Sequence, residues 1–167
     1  PHYFAVTDPS MTALLTHREA PHRLGVMSIA VLGAAGLMGQ ALNRALHVKK
    51  GVEIAGGLEA KGSPAVGRDL GEIAGLDAIG VPITDDAHAL FSHVEGVLDF
   101  TLPNATTEFV ALSAQARIVH VIGTTGFTDD QLAKIDAAAR HATIVKAGNM
   151  SMGVNLMAAL TKRVAEI

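Results

Sequence analysis

Cysteine is absent from all 167 residues, which removes disulfides, thiolate metal sites and thiol nucleophiles together. Tryptophan is also absent and aromatics make up only 4%, so any core must rest on Val, Ile, Leu and Ala. No apolar run approaches the roughly 20 residues that a membrane helix needs. Charge of neither sign dominates: 13 Lys and Arg face 16 Asp and Glu, a net charge of −3. That balance argues against a basic nucleic-acid face, and neither nucleic acid nor membrane is expected as a partner. A reducing cytoplasm is the expected location. No serine sits in a nucleophile-elbow setting, so hydrolase chemistry lacks its nucleophile. Among the eight histidines, His47, His88, His93 and His141 fall near expected helix ends and His120 within an expected strand. None pairs with another at ligand spacing beside an acid, and His88 and His93, five apart, align poorly on a helix. No metal site is expected.

What the chain has in quantity is apolar aliphatic residues, with 49% of positions hydrophobic. The key stretch is Ile29-Ala-Val-Leu-Gly33-Ala-Ala-Gly36-Leu-Met-Gly39. Its uncharged start reads as a strand buried on both faces. The glycines follow as G-x-x-G-x-x-G, with Ala35 where the commoner pattern has its second glycine. Gln40 to His47 then have helical composition. A helix beginning there points free N–H groups over the turn and favours an anion such as a pyrophosphate. A plain strand-to-helix packing turn fits the same residues.

Strand and helix alternate along the rest of the chain. Strands are expected over 28–33, 52–58, 81–84, 96–100, 117–122 and 143–147. Helices are expected over 37–48, 86–93, 104–115, 129–141 and 152–167, with one helical turn near 69–73 inside the glycine-rich loop 60–80. Pro82 puts the third strand at or near a sheet edge. Pro103 opens a helix, and Thr128 with Gln131 forms a capping box. This alternation predicts an α/β fold with a doubly wound parallel sheet. Residues 1–27 have no sustained period and no apolar signal core, and are expected to be a leader or tag-like segment. Residues 28–150 form the expected dinucleotide-binding domain, and 151–167 the hinge and first helix of a second domain.

Ligands of such sheets collect beyond the carboxyl ends of the strands. Gly33–Gly39, Glu59, Thr101, Gly123–Gly126 and Ala147–Ser151 are expected there. Glu59, twenty residues after Gly39, suits an acceptor for ribose hydroxyls, or a solvated acid at a strand end. Gly123-Thr-Thr-Gly126 can bring backbone against a flat ring such as nicotinamide, or simply turn the chain. Phe100 fits a place beside a cofactor or in the core.

Taken in order, Gly33-Ala-Ala-Gly-Leu-Met-Gly39, Asp99-Phe-Thr-x-Pro103, Gly123-Thr-Thr-Gly-Phe127 and Gly148-Asn-Met-Ser-Met-Gly-Val-Asn155 resemble the dihydrodipicolinate reductase family. The match runs from about Ser28 to the chain end. It implies a Rossmann-type domain, with cytoplasmic reduction of a cyclic imine dicarboxylate by NADH or NADPH on the diaminopimelate route to lysine. It also implies cofactor contacts at Gly33, Ala34, Ala35, Gly36, Leu37, Met38, Glu59, Gly123, Thr124, Thr125, Ala147, Gly148, Asn149 and Met150. Leu37 and Ala60 stand where the family often has arginines suited to phosphate, which favours NADH. Met150 replaces a frequent phenylalanine and still packs against a ring, less rigidly.

The family's His-His-x-x-x-Lys and Lys-x-Asp-Ala-Pro-Ser-Gly-Thr stretches, which supply the proton donor and dicarboxylate contacts, do not occur here. The chain is therefore expected to bind nucleotide without catalysing reduction alone, and no catalytic residue is assigned in it. Leu156, Leu160 and Val164 form an apolar stripe expected to lack most of its partners. Full-length members of the family are homotetramers assembled through the missing domain. A non-catalytic NAD(H)-sensing module, or the cofactor domain of another amino-acid dehydrogenase, are the alternatives.

Overall fold

The computed structural model describes residues 25–166, so most of the expected leader lies outside the described residues. The order is β1 (Met27–Leu32), α1 (Leu37–His47), β2 (Val52–Leu58), α2 (Leu70–Ile73), β3 (Ile83–Thr84), α3 (Ala87–Phe91), β4 (Gly96–Asp99), α4 (Pro103–Ala116), β5 (Val119–Ile122), α5 (Asp129–Ala138), β6 (Thr143–Lys146) and α6 (Met152–Ala165). All six strands are parallel and run in the order β3-β2-β1-β4-β5-β6. Strand order reverses between β1 and β4, and this topology opens a crevice there at the carboxyl edge.

β1 is central because both its faces are covered. Ala30 and Leu32 join Leu58, Leu90, Phe91 and Val97 on one side, while Val31 joins Ala34, Leu70 and Ile83 on the other. The side chains alternate with a period of two, as a strand requires. Each fully buried Val or Leu contributes roughly 1.5–3 kcal/mol. A third cluster, Val110, Ile122, Ile135 and Ala138, packs α4 and α5 onto β5. The Phe91 and Phe109 rings lie 6.0 Å apart and join α3 to α4.

Most expected elements shift by a residue or two at an end, and β3, β5 and α5 show why. β3 has only two residues and is an edge strand. Pro82 has no N–H for the ladder, and it faces Asp69 in an isolated antiparallel bridge instead. The Asp69 carboxylate accepts N–H groups of Gly71, Glu72, Ile79, Gly80 and Val81. One side chain thus organises much of the expected loop. β5 begins at Val119, because Arg117 is the left-handed cap of α4 at φ 55° and donates its N–H to Ser113 O. α5 ends at Ala138, three residues earlier than expected, and tight turns carry the chain on to β6.

α6 begins at a Ser151 cap, whose hydroxyl accepts from Val154 N–H at 3.4 Å. None of its residues is buried, and Leu156, Met157, Leu160 and Val164 are 56–70% exposed. The expected apolar stripe is present and bare.

Candidate functional site

The chain leaves β1 at Leu32 and turns sharply at Gly33, whose φ of 76° suits only glycine without strain. The N–H groups of Gly33 and Ala34 both donate to Leu58 O, at 2.9 and 3.2 Å, which ties the turn to β2. A Cβ on Gly39 would collide with the Gly33 carbonyl oxygen and the Ala34 backbone. Glycine there lets α1 sit directly on the turn. Two α1 side chains hold it from behind: Gln40 Nε2 donates to Ala35 O at 2.7 Å and Asn43 Nδ2 to Ala34 O at 3.1 Å. No side chain caps the start of α1. Its first-turn N–H groups therefore face outward beside Leu37 and Met38, which are 89% and 52% exposed. An uncapped helix start above a glycine turn fits a phosphate group.

Glu59 directly follows β2. Its N–H donates to Thr84 O at 3.0 Å, and its Oε1 accepts from Ala35 N–H at 2.7 Å. The carboxylate is thus fastened to the glycine turn, and the described residues put no donor on Oε2. Beside it lies an open depression of about 540 Å³, with Leu58, Glu59 and Lys61 on one wall and His88, Phe109 and Leu112 on the other. A half-buried acid next to a partly apolar hollow suits a ribose with a flat base beyond it.

Across the β1–β4 crevice the chemistry changes. The Phe100 ring packs so closely on Gly123 that any Cβ there would strike it. Phe100 is half-buried and lies against the loop that follows β5. Asp99 Oδ1 accepts from Thr101 N–H at 3.0 Å, Thr101 Oγ1 at 2.6 Å and Thr124 Oγ1 at 3.4 Å. Thr106 Oγ1 donates to Thr124 Oγ1 at 3.0 Å. On the other side of the carboxylate, Asp99 Oδ2 lies 3.2 Å from His120 Nε2, and His120 Nδ1 lies 2.8 Å from Ser113 Oγ. Asp99, His120, Ser113 and Thr106 are fully buried. Burial by itself raises the Asp99 pKa, but hydrogen bonds from His120 and Thr101 outweigh it and hold the carboxyl below its usual value. An Asp–His–Ser chain sealed this way offers no accessible nucleophile, in keeping with the absence of hydrolase motifs.

Sequence reasoning missed this network. Its signal was a single polar residue in each of two apolar strands, Asp99 and His120. β4 and β5 pair with Val97 opposite His120 and Asp99 opposite Ile122. Asp99 and His120 therefore share one face, a diagonal step apart. Only the strand order makes that visible.

The expected contact residues all follow strand ends at this edge: Gly33 to Met38 after β1, Glu59 after β2, Gly123 to Thr125 after β5, and Ala147 to Met150 after β6. Of these, Glu59 and Ala35 touch directly. Thr124 is turned inward at 6% exposure and its hydroxyl is taken by the network, so what it offers a ligand is backbone. Asn149 Oδ1 accepts from Ser151 N–H at 2.7 Å and its carbonyl from Asn155 Nδ2 at 2.9 Å, which shapes the last loop. Among the described residues no His, Asp or Glu group could hold a metal ion, and no helix is long and apolar enough to cross a membrane.

A family model for the N-terminus of dihydrodipicolinate reductase matches residues 27–150. The chain belongs to this family. The 4-hydroxy-tetrahydrodipicolinate reductase of Sinorhizobium fredii is 58% identical over 139 residues, covering 83% of this chain and 51% of the relative. That of Brucella abortus is 54% identical over 140 residues, covering 84% and 52%. The chain spans about half the length of the curated relatives it matches. Among solved structures, a dipicolinate-bound dihydrodipicolinate reductase from Paenisporosarcina superposes with a TM-score of 0.55 at 29% identity, over 68% of this chain and 43% of that one. An amine dehydrogenase from Mycobacterium smegmatis superposes with a TM-score of 0.56 at 24% identity, over 71% and 38%. That second likeness shows the fold alone. Membership of the dihydrodipicolinate reductase family sets aside the cofactor domain of a different amino-acid dehydrogenase. The family is one of oxidoreductases that use a nicotinamide nucleotide.

Proposed function

We propose that this chain is the cofactor-binding part of a 4-hydroxy-tetrahydrodipicolinate reductase, with NADH favoured over NADPH. The observation that carries the reading is the Glu59 carboxylate fastened to Ala35 N–H at 2.7 Å beside the uncapped start of α1. A carboxylate so held is ready to accept from ribose hydroxyls and repels a 2′-phosphate. Ala60 and Leu37 supply no cation against that repulsion, and Lys61 is the nearest positive side chain in sequence.

Each element has a role. The first-turn N–H groups of α1 receive the pyrophosphate. Glu59 orients the adenosine ribose, with the hollow toward His88 and Phe109 for the base. The ends of β4, β5 and β6 remain for the nicotinamide, against backbone of Gly123 to Thr125 and the 147–150 loop. When bound, the dinucleotide supplies a hydride. In the whole protein the acceptor is a cyclic imine dicarboxylate of lysine and diaminopimelate biosynthesis, in the cytoplasm, and the assembly is a homotetramer. The substrate contacts and proton donor belong to segments other than this chain.

Calorimetric titration of the chain with NADH and NADPH tests the reading. Saturable binding of NADH, tighter than NADPH, is expected. A folded chain that binds neither would overturn it.

A further inference from the structure

We propose that His120 is a positioning residue that acts through Asp99 to set the spacing of the β4–α4 and β5–α5 loops, and so shapes the half of the cleft that takes the nicotinamide. The proposal rests on the cofactor reading above. A doubly wound sheet of this order is two mononucleotide halves joined at the β1–β4 crevice. Glu59 and the glycine turn occupy one half, so the nicotinamide falls to the other.

In that second half a single oxygen links both loops. Asp99 Oδ1 holds Thr101, the second residue after β4, through its N–H at 3.0 Å and its hydroxyl at 2.6 Å, and holds the Thr124 hydroxyl at 3.4 Å. The orientation of that oxygen depends on its twin. Oδ2 faces His120 Nε2 at 3.2 Å, and Ser113 on α4 faces His120 Nδ1 at 2.8 Å. With the proton on Nε2, the imidazole donates to Asp99 while Nδ1 accepts the Ser113 hydroxyl, and the buried polar side-chain atoms of Asp99, His120 and Ser113 each have a partner. An apolar residue at 120 would leave a buried carboxylate oxygen without its donor, and Asp99 would have to turn or admit water. Thr101 and Thr124 would move with it. The glycine turn and Glu59, fastened to each other and to β2, share no hydrogen bond with this network.

The two halves can be probed separately with NADH and with ADP-ribose, which lacks the nicotinamide. Calorimetry on the 167-residue chain compares the unaltered protein with His120→Leu, His120→Gln and Ser113→Ala. His120→Leu should weaken NADH roughly tenfold, the scale of one hydrogen bond to a charged group, and leave ADP-ribose within about twofold. The glutamine amide can donate to Asp99 in place of Nε2–H, so His120→Gln should recover most of the NADH affinity. Equal loss of both ligands in His120→Leu, or loss of neither, overturns the positioning role and leaves the cofactor reading standing. So does an unaltered chain that binds ADP-ribose as tightly as NADH. If the unaltered folded chain binds neither ligand, both readings fall. Should His120→Leu not fold, Ser113→Ala decides: a selective severalfold loss of NADH is expected, and unchanged NADH affinity overturns the proposal.

Discussion

The backbone N–H of Ala35 donates to Glu59 Oε1 at 2.7 Å, joining the turn after β1 to the end of β2 through one charged hydrogen bond. Position 35 is where the commoner glycine pattern has its second glycine, and an alanine still presents the N–H. The bond places a negative group within the cradle proposed for the cofactor, and it fixes that group's orientation before any ligand arrives. Preorganisation of this kind lowers the cost of binding.

Glu59→Ala should therefore weaken NADH by roughly tenfold or more, as expected for losing hydrogen bonds to a carboxylate. NADPH should lose less, because the same change removes a repulsion from its 2′-phosphate. Calorimetric Kd values for both nucleotides check this, and a larger loss for NADPH would contradict the ribose role.

Ala60→Arg introduces a cation directly after that acid, on an exposed residue with room for it. NADPH affinity should rise roughly tenfold relative to NADH, since a guanidinium binds phosphate through charge-assisted hydrogen bonds. Competition between the two nucleotides measures the ratio. A ratio unmoved by the substitution would place the 2′ position elsewhere.

Arg117 holds a left-handed conformation at φ 55°, costly for a residue with a Cβ. Glycine relieves the strain but adds freedom to the unfolded chain. Arg117→Gly should give a net gain of about 0.5–1 kcal/mol, and Arg117→Val, β-branched at positive φ, a loss. Urea unfolding is the measurement, with the midpoint shifting and the slope unchanged.

The Asp99 carboxyl is held below its usual value of 3.8, as its hydrogen bonds from His120 and Thr101 outweigh burial. A depressed folded pKa contributes stability that is fully present above the unfolded value and is lost as pH falls through the folded one. Asp69 contributes with the same sign, its pKa lowered chiefly by the Ile79 N–H. Asp99→Asn should thus be less stable at neutral pH and lose less stability between roughly pH 5 and pH 2. Chemical denaturation across that range separates the two residues, since Asp69 remains in the variant.

Much of this molecule was legible in the chain itself. The apolar run from Ile29 into Gly33, the helix opened by Pro103 and the Thr128 capping box each depend on neighbours within a few residues. Local sterics and local hydrogen bonds write such features directly into sequence. The spacing from Gly39 to Glu59 was legible too, because a βαβ unit has a nearly constant length.

Some boundaries shifted because a cap or a bond from another segment took backbone groups that the local pattern assigned to a strand. Ile118 N–H donates to Ser113 O at 3.2 Å, which closes α4 through an arginine rather than a glycine. Pro82 leaves the ladder, and the neighbouring Val81 N–H is taken by the Asp69 carboxylate.

By itself, then, the sequence determined that strands and helices alternate, that the last helix carries an apolar stripe, and that glycine turns and an acid stand at the strand ends. Tertiary structure alone decided which strands are neighbours, and with that the whole Asp99–His120–Ser113 chain. A period of two records which face a side chain occupies and carries no record of the strand beside it. That choice rests on long-range packing around β1 and on right-handed crossovers. Those placed β4 between β1 and β5, and so brought His120 within 3.2 Å of a carboxylate 21 residues earlier.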